Sequence, residues 1–185
     1  MSFGSILLGA LIGGVISSGA VIGTTFLGTL VPWWALLLIA GGGTLIGGFV
    51  AGLIAKGAGA GALAGIISGV IVMVSLFLFS WLYYKNQLIA LVSSFANISD
   101  LANAFLQKFG LEGTQFGDVV YDWILANAPT TSEIVAFANA KFIYFALIFT
   151  AILGGLAAIL NFFAGMIGGL FTRKKKEKES YDNYY

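Results

Sequence analysis

Cysteine and histidine are both absent from this 185-residue sequence, and only 9% of its residues carry a charge. Without these two residue types the chain offers no disulfide, no thiolate chemistry and none of the usual zinc sites. The net charge of +1 is not arranged as the basic stripe that nucleic acid requires. We therefore expect no metal site, no cofactor and no nucleic-acid partner.

Apolar residues are abundant instead: they make up 59% of the chain and fall into long uncharged runs. About 20 apolar residues in a helix span a hydrocarbon core of about 30 Å. Such runs cover residues 3–31, 32–55, 57–84 and 142–171, and no basic residue precedes the first, so we expect an uncleaved helix there. The sequence predicts an all-α integral membrane protein, a bundle of about four transmembrane helices with a short amphipathic helical extracytoplasmic segment.

Four segments follow from composition. They are a glycine-rich three-helix transmembrane part (1–84), an outer amphipathic helical segment (85–140), a fourth transmembrane helix (141–171) and a basic, tyrosine-rich tail (172–185). Pro32 suits the first turn of the second helix, where its missing N–H costs nothing. The glycine-rich residues 56–59 predict a tight turn between the second and third helices.

The outer segment has its own helical pattern. Apolar residues recur at helical spacing over 88–109 and again over 118–127, and Thr130 with Glu133 has the spacing of a capping box that would open the fourth helix. The apolar faces could lie on the outer leaflet, cover the bundle as a lid, bind a neighbouring protein, or simply pack onto the bundle. Asn97-Ile98-Ser99 is an N-glycosylation sequon, and its use is left open.

Charge predicts the orientation. The only dense basic cluster is near the C-terminus, and short basic flanks stay in the cytoplasm, whereas the long connection over 85–141 is acidic. We expect a multi-pass protein of the cytoplasmic (plasma) membrane with both termini in the cytoplasm. Contact with anionic lipid is predicted for the basic cluster, Arg173, Lys174, Lys175 and Lys176.

Glycine predicts the packing. In lipid no hydrophobic force drives helices together, so faces of small residues at four-residue spacing allow close backbone approach. Two readings remain, close helix packing and a glycine-lined pore or gated interface, and we favour packing. The predicted packing residues are Gly43, Gly47, Gly48, Gly52, Gly57, Gly61, Gly65 and Gly69.

Polar residues are few within the runs. Asn161 is the strongest polar residue of the fourth, and we expect it to form a hydrogen bond to a neighbouring helix. No Asp or Glu lies within any predicted span, which argues against a proton-coupled or ion-coupled transporter. No nucleophile has a base at a recognisable spacing, so we do not expect an enzyme.

Residues 47–57 (GGFVAGLIAKG) and 61–69 (GALAGIISG) resemble the signature of the DUF5518 family of small archaeal membrane proteins of unknown function. The resemblance covers the second and third predicted helices. It implies an archaeal cytoplasmic membrane, with no known activity and no functional residues to transfer.

Two functions remain open. The first is a non-catalytic structural or accessory membrane protein that assembles with itself or with a larger membrane complex through its glycine-rich helix faces. The alternative is a pore-forming homo-oligomer, holin-like or channel-like, because small residues, serines and threonines accompany a basic tail. The lipid bilayer is the expected partner in both cases.

Overall fold

The structure is a computed structural model, and it describes residues 3–28, 30–108, 111–127 and 130–182, with side chains except at Phe105, Lys108, Asn127 and residues 173–182. All regular elements in these ranges are helices, which confirms the all-α class. They are α1 (Phe3–Leu27), α2 (Trp33–Ala55), α3 (Ala58–Phe79), a π-helical turn (Ser80–Tyr84), α4 (Lys85–Ser93), α5 (Ile98–Lys108), α6 (Gln115–Asn127) and α7 (Thr131–Asp182).

Four helical stretches are long and apolar enough to cross a membrane, as the sequence predicted: Phe3–Leu27, Trp33–Ala55, Ala58–Ser93 and Thr131–Thr172. At most 33% of the most apolar window of any of these stretches is buried inside the protein. A chain that exposes so much apolar helix requires lipid around it. The protein is therefore a multi-pass membrane protein.

The chain forms two compact units. One comprises Met1–Phe79 and Leu147–Tyr185, and the other comprises Ser80–Ala146. The first, the transmembrane unit, contains α1, α2, α3 and most of α7. The second, which we call the outer unit after the side of the membrane that the sequence predicts for it, contains α4, α5, α6 and the beginning of α7. The two units do not test the division into four segments, which was based on composition. That division remains a prediction.

Inside the transmembrane unit the side chains are small and the large ones lie outside. One buried cluster consists of alanines from α1, α2 and α3, with Ile6 and Ile67 packed against it. A second joins Val72 and Leu76 of α3 to Ala157 of α7. Leucine, isoleucine and phenylalanine dominate the exposed surface instead. This distribution suits helices whose outer faces meet lipid tails rather than water.

The turn between α2 and α3 is as tight as the sequence predicted. Lys56 has a φ of 58° and Gly57 a φ of 112°, and Lys56 is the only non-glycine residue of the described chain with positive φ. The Lys56 N–H donates to the carbonyl oxygen of Gly52 (3.2 Å), and the Gly57 N–H donates to that of Gly169 (3.1 Å). The turn thus fixes the end of α2 and joins it to α7.

The third helix does not end near Tyr84 as expected. It passes through the π-helical turn into α4 and continues to Ser93. No proline or glycine interrupts residues 80–93, so nothing in the sequence forces a break there.

The prediction of one amphipathic helix over 88–109 is wrong in its middle. Ser94 Oγ donates to the Leu91 carbonyl oxygen (2.6 Å), and Asn97 Oδ1 accepts the Asp100 N–H (2.8 Å). These local hydrogen bonds end α4 and cap α5, because short polar side chains compete with the helical ladder. The predicted end near Phe109 lies outside the described residues.

Three other boundaries differ from the predicted ones. The first helix ends at Leu27 rather than at Val31. Helix α6 begins at Gln115, three residues before the predicted start, because Thr114 Oγ1 accepts the Gly117 N–H (2.9 Å). Helix α7 begins at Thr131, directly after the predicted capping residue Thr130, but it extends past the predicted end at 171 to Asp182.

The start of α7 confirms the predicted capping box. The Thr130 N–H donates to Glu133 Oε2 (2.9 Å), and the Glu133 N–H points back to Thr130 Oγ1 (3.4 Å). The two residues thus satisfy each other's backbone donors, which would otherwise have no partner at a helix start.

We expect Thr130→Ala to weaken the first turn of α7 by about 1 kcal/mol, because the cap side chain is lost. Hydrogen exchange of the Ser132 and Glu133 amides should be faster than in the wild type. Thr131→Ala is the matched control, since its side chain is not part of the capping box. Equal exchange rates in the two variants would contradict the assignment.

Candidate functional site: the glycine junction around Asn161

Three helices of the transmembrane unit meet at glycines. A Cβ atom built on Gly52 of α2 or on Gly61 of α3 would collide with the carbonyl oxygen of Gly165 in α7. A Cβ on Gly165 would in turn collide with the Gly61 carbonyl oxygen. Only residues without a side chain allow backbones to approach this closely in lipid, where dispersion and weak Cα–H···O contacts then hold the helices.

Helix α1 joins the bundle in the same way. A Cβ on Gly13 would meet the Gly47 carbonyl oxygen, and one on Gly9 would lie 2.5 Å from the Ala51 carbonyl oxygen. The contact continues at Gly43, whose built Cβ would collide with the Ala20 side chain. Helices α1 and α2 therefore pack backbone to backbone over several turns.

The structure places the predicted packing glycines against helices of the same chain. A built Cβ would come closer than 3.0 Å to a neighbouring helix at Gly43, Gly47, Gly48, Gly52, Gly61, Gly65 and Gly69. The eighth residue, Gly57, lies in the α2–α3 turn and contacts Gly169. These faces are filled inside one protomer, so none of them is available to a partner.

We call this region of close contact between α1, α2, α3 and α7 the glycine junction. It also contains glycines of α7 that the predicted set did not include. They are Gly154, Gly165, Gly168 and Gly169. Their signal in the sequence is the four-residue spacing of Gly165 and Gly169. Spacing alone does not say which helix such a pair faces.

Asn161 of α7 lies at the centre of the bundle with no exposed surface. Its Oδ1 accepts a hydrogen bond from Ser17 Oγ of α1 (3.1 Å), which fulfils the expected interhelical contact. A Cβ on Gly48 would lie 2.8 Å from that Oδ1, and one on Gly65 would collide with the Asn161 carbonyl oxygen. The amide enters the core because the two facing helices carry glycine at these positions.

The hydroxyl of Ser17 connects three helices. Besides Asn161, it lies 3.4 Å from the Thr44 carbonyl oxygen of α2. Thr44 Oγ1 itself donates to the Ala40 carbonyl oxygen (2.7 Å). The buried hydroxyl and amide thus fix the relative register of α1, α2 and α7.

Several buried polar atoms have no hydrogen-bond partner within the described structure. In the transmembrane unit they are Asn161 Nδ2, Ser18 Oγ and Ser68 Oγ. Burial of an amide or hydroxyl without a partner costs free energy. The junction therefore combines tight backbone packing with an incompletely paired polar centre.

A second class of glycines faces away from the other helices. A Cβ built on Gly19 or Gly23 of α1 has nothing within 4 Å, and the same is true of Gly41 and Gly42 of α2. Gly19 and Gly23 are four residues apart and form a GxxxG pair on one face of α1. By contrast, the positions four residues from Gly41 are Leu37 and Leu45, which are large and exposed.

The predicted lipid-contact residues Arg173, Lys174, Lys175 and Lys176 lie in the last part of α7. Their backbone continues the helix, and their side chains lie outside the described structure. Contact of these residues with anionic lipid stays a prediction.

Comparison with protein-family models, with curated proteins and with solved structures finds no match to this chain. The resemblance to the DUF5518 family stays a prediction.

We expect Gly52→Ala to destabilise the bundle by about 1–3 kcal/mol, because the new methyl group meets the Gly165 carbonyl oxygen. The measurement is the midpoint of unfolding in a denaturing detergent titration. Gly41→Ala is the matched control, because its methyl group enters open space. Alanine is more favourable than glycine in a helix by up to about 1 kcal/mol, so this variant should not be destabilised. Equal midpoints for the two variants would show that the close contact is not required.

The Ser17–Asn161 hydrogen bond is tested by a double-mutant cycle with Ser17→Ala and Asn161→Ala. The expected coupling energy is about 0.6 kcal/mol and at most about 1.7 kcal/mol, the range of such bonds between membrane helices. Ser18→Ala serves as a control for loss of a buried hydroxyl, since Ser18 Oγ has no hydrogen-bond partner in the described part of the chain. A coupling energy of zero would mean that the hydrogen bond does not stabilise the fold.

Proposed function

We propose that this chain is a non-catalytic structural or accessory protein of the cytoplasmic membrane, which assembles with copies of itself or with a larger membrane complex. The observation that carries the proposal is the outward GxxxG pair of α1. Gly19 and Gly23 have open space beside them, whereas the glycines of the junction are occupied within the chain. A helix face without side chains is the surface that a further membrane helix can approach closely.

The surroundings of this pair fit a helix–helix contact. Val15 and Phe26 lie near it on α1, are 67% and 58% exposed, and could flank a docked helix. Thr24 is close to the pair, but its hydroxyl donates to the Val21 carbonyl oxygen of its own helix (2.6 Å). The contact would accordingly rest on close packing rather than on polar side chains.

The proposed orientation places both termini in the cytoplasm and the outer unit outside. The basic cluster of 173–176 and the acidic composition of the 85–141 connection support it. Lys56 is exposed in the α2–α3 turn, and Lys141 Nζ lies 5.7 Å from the ring centre of Tyr144 in α7. Lysine and tyrosine are typical of the membrane boundary.

A pore-forming homo-oligomer has less support. Ser17, Ser18 and Ser68, which could line a polar path, are buried within the bundle of one chain. A pore that used these hydroxyls would require the glycine junction to open. A pore between copies would need another polar surface.

Assembly through α1 is tested with the double variant Gly19→Leu and Gly23→Leu. Nothing lies beside either glycine, so we expect the fold to be kept while the assembled form is lost and a monomer is released. The measurement is the mass of the particle extracted from membranes into nanodiscs. The double variant Gly41→Leu and Gly42→Leu is the matched control, because it also adds two leucines to open space, at positions outside a GxxxG pair.

Two outcomes would contradict the proposal. One is a wild-type protein that is monomeric in nanodiscs and co-purifies with no other protein. The other is an assembly whose mass is the same in the double variant and in the wild type.

A further inference from the structure

Helix α6 of the outer unit has three distinct faces. Gly117, Tyr121 and Ile124 form the buried or half-buried face, at the spacing of one side of a helix. Asp118 and Asp122, four residues apart, form an exposed acidic face. The third face, which we call the apolar stripe, consists of Phe116, Val119 and Trp123.

The apolar stripe is exposed although its residues are large and hydrophobic. Phe116 is 65% exposed, Val119 62% and Trp123 65%. A single exposed apolar side chain needs no explanation, but three on one helical face indicate a surface that something covers. The packing of α6 against α5 does not cover it.

A short connection ties α6 to α7, which is long and apolar enough to cross a membrane. Only residues 128–130 separate α6 from Thr131, where α7 begins, and an extended chain of that length reaches at most about 14 Å. Helix α7 then runs for about 15 Å to Lys141, whose Nζ lies over the Tyr144 ring. Lysine and tyrosine are residue types typical of the membrane boundary. A helix tethered so closely to a transmembrane segment has a high effective concentration at the bilayer surface.

The chemistry of α6 fits a lipid interface better than a second copy of itself. Its sequence contains two carboxylates and no lysine or arginine. In a symmetric α6–α6 contact four carboxylates would flank the stripes without a basic partner on either helix, which is unfavourable. The headgroup region presents no such repulsion when the lipid is zwitterionic, and tryptophan is enriched at that depth.

We propose that the apolar stripe of α6 lies in the outer membrane–water interface, with Phe116, Val119 and Trp123 among the upper acyl chains and Asp118 and Asp122 facing water. Helix α6 is thus an interfacial helix parallel to the membrane plane. It is held there by apolar burial rather than by charge. The inference is independent of assembly through α1.

The absence of cysteine allows a direct test on the full chain. Single variants Val119→Cys and Asp118→Cys are spin-labelled and placed in nanodiscs of zwitterionic lipid, which leave both membrane faces open. Collision of the label with oxygen, which partitions into lipid, is compared with collision with a water-soluble nickel chelate. We expect the oxygen-to-nickel ratio at position 119 to be several-fold higher than at position 118.

A second pair keeps the result independent of one perturbing label. Phe116→Cys should behave as Val119→Cys does, and Asp122→Cys as Asp118→Cys does. Equal nickel accessibility on the stripe and on the acidic face would overturn the proposal, because the stripe would then lie in water. Shielding of position 119 from both reagents would also overturn it, since a protein surface would then cover the stripe.

Discussion

The close approach of α2, α3 and α7 around Gly165 is the contact on which the transmembrane unit depends. Gly52 and Gly61 both face its carbonyl oxygen, so two helices use the same point on a third. In lipid the large side chains gain little by turning inward, because the tails outside are as apolar as the core. What holds the bundle is therefore the contact of bare backbones, and this explains why its interior is rich in glycine, alanine and serine.

The polar centre follows from the same geometry. Asn161 and Ser17 form their hydrogen bond in a space that Gly48 leaves open, and Gly65 makes room for the backbone of Asn161. Were either glycine larger, the amide would have to leave the core or the helices would have to separate. Asn161 Nδ2 has no hydrogen-bond partner among the described residues, which lowers the stability gained from the glycine contacts. The hydrogen bond from Ser17 to Asn161 Oδ1 in return favours one specific register of α1 and α7.

Hydropathy predicted most of this fold, and glycine spacing predicted which faces are bare. The bounds of α2 and the capping box of Thr130 and Glu133 follow from the sequence because length, apolar runs and caps are local properties. The break at residues 94–97 was missed because hydrogen bonds of single Ser and Asn side chains outweighed a continuous apolar pattern. Which helix each glycine face contacts could not be predicted, since the spacing of a GxxxG pair does not indicate whether its partner helix belongs to the same chain.

Most exposed residues of the chain need only lipid around them, but two exposed groups indicate a more specific environment. Most of its apolar residues are large, and lipid tails accommodate them without any specific partner. The exceptions are informative for opposite reasons. Gly19 and Gly23 make few contacts with mobile lipid tails, because they have no side chains. A surface that contacts only lipid would therefore gain more from larger residues at these positions. Phe116 and Trp123 are too apolar for a surface in water, because their exposure costs free energy that burial in an interface recovers. Each exception therefore points to its own environment, another helix in the first case and the boundary of the bilayer in the second.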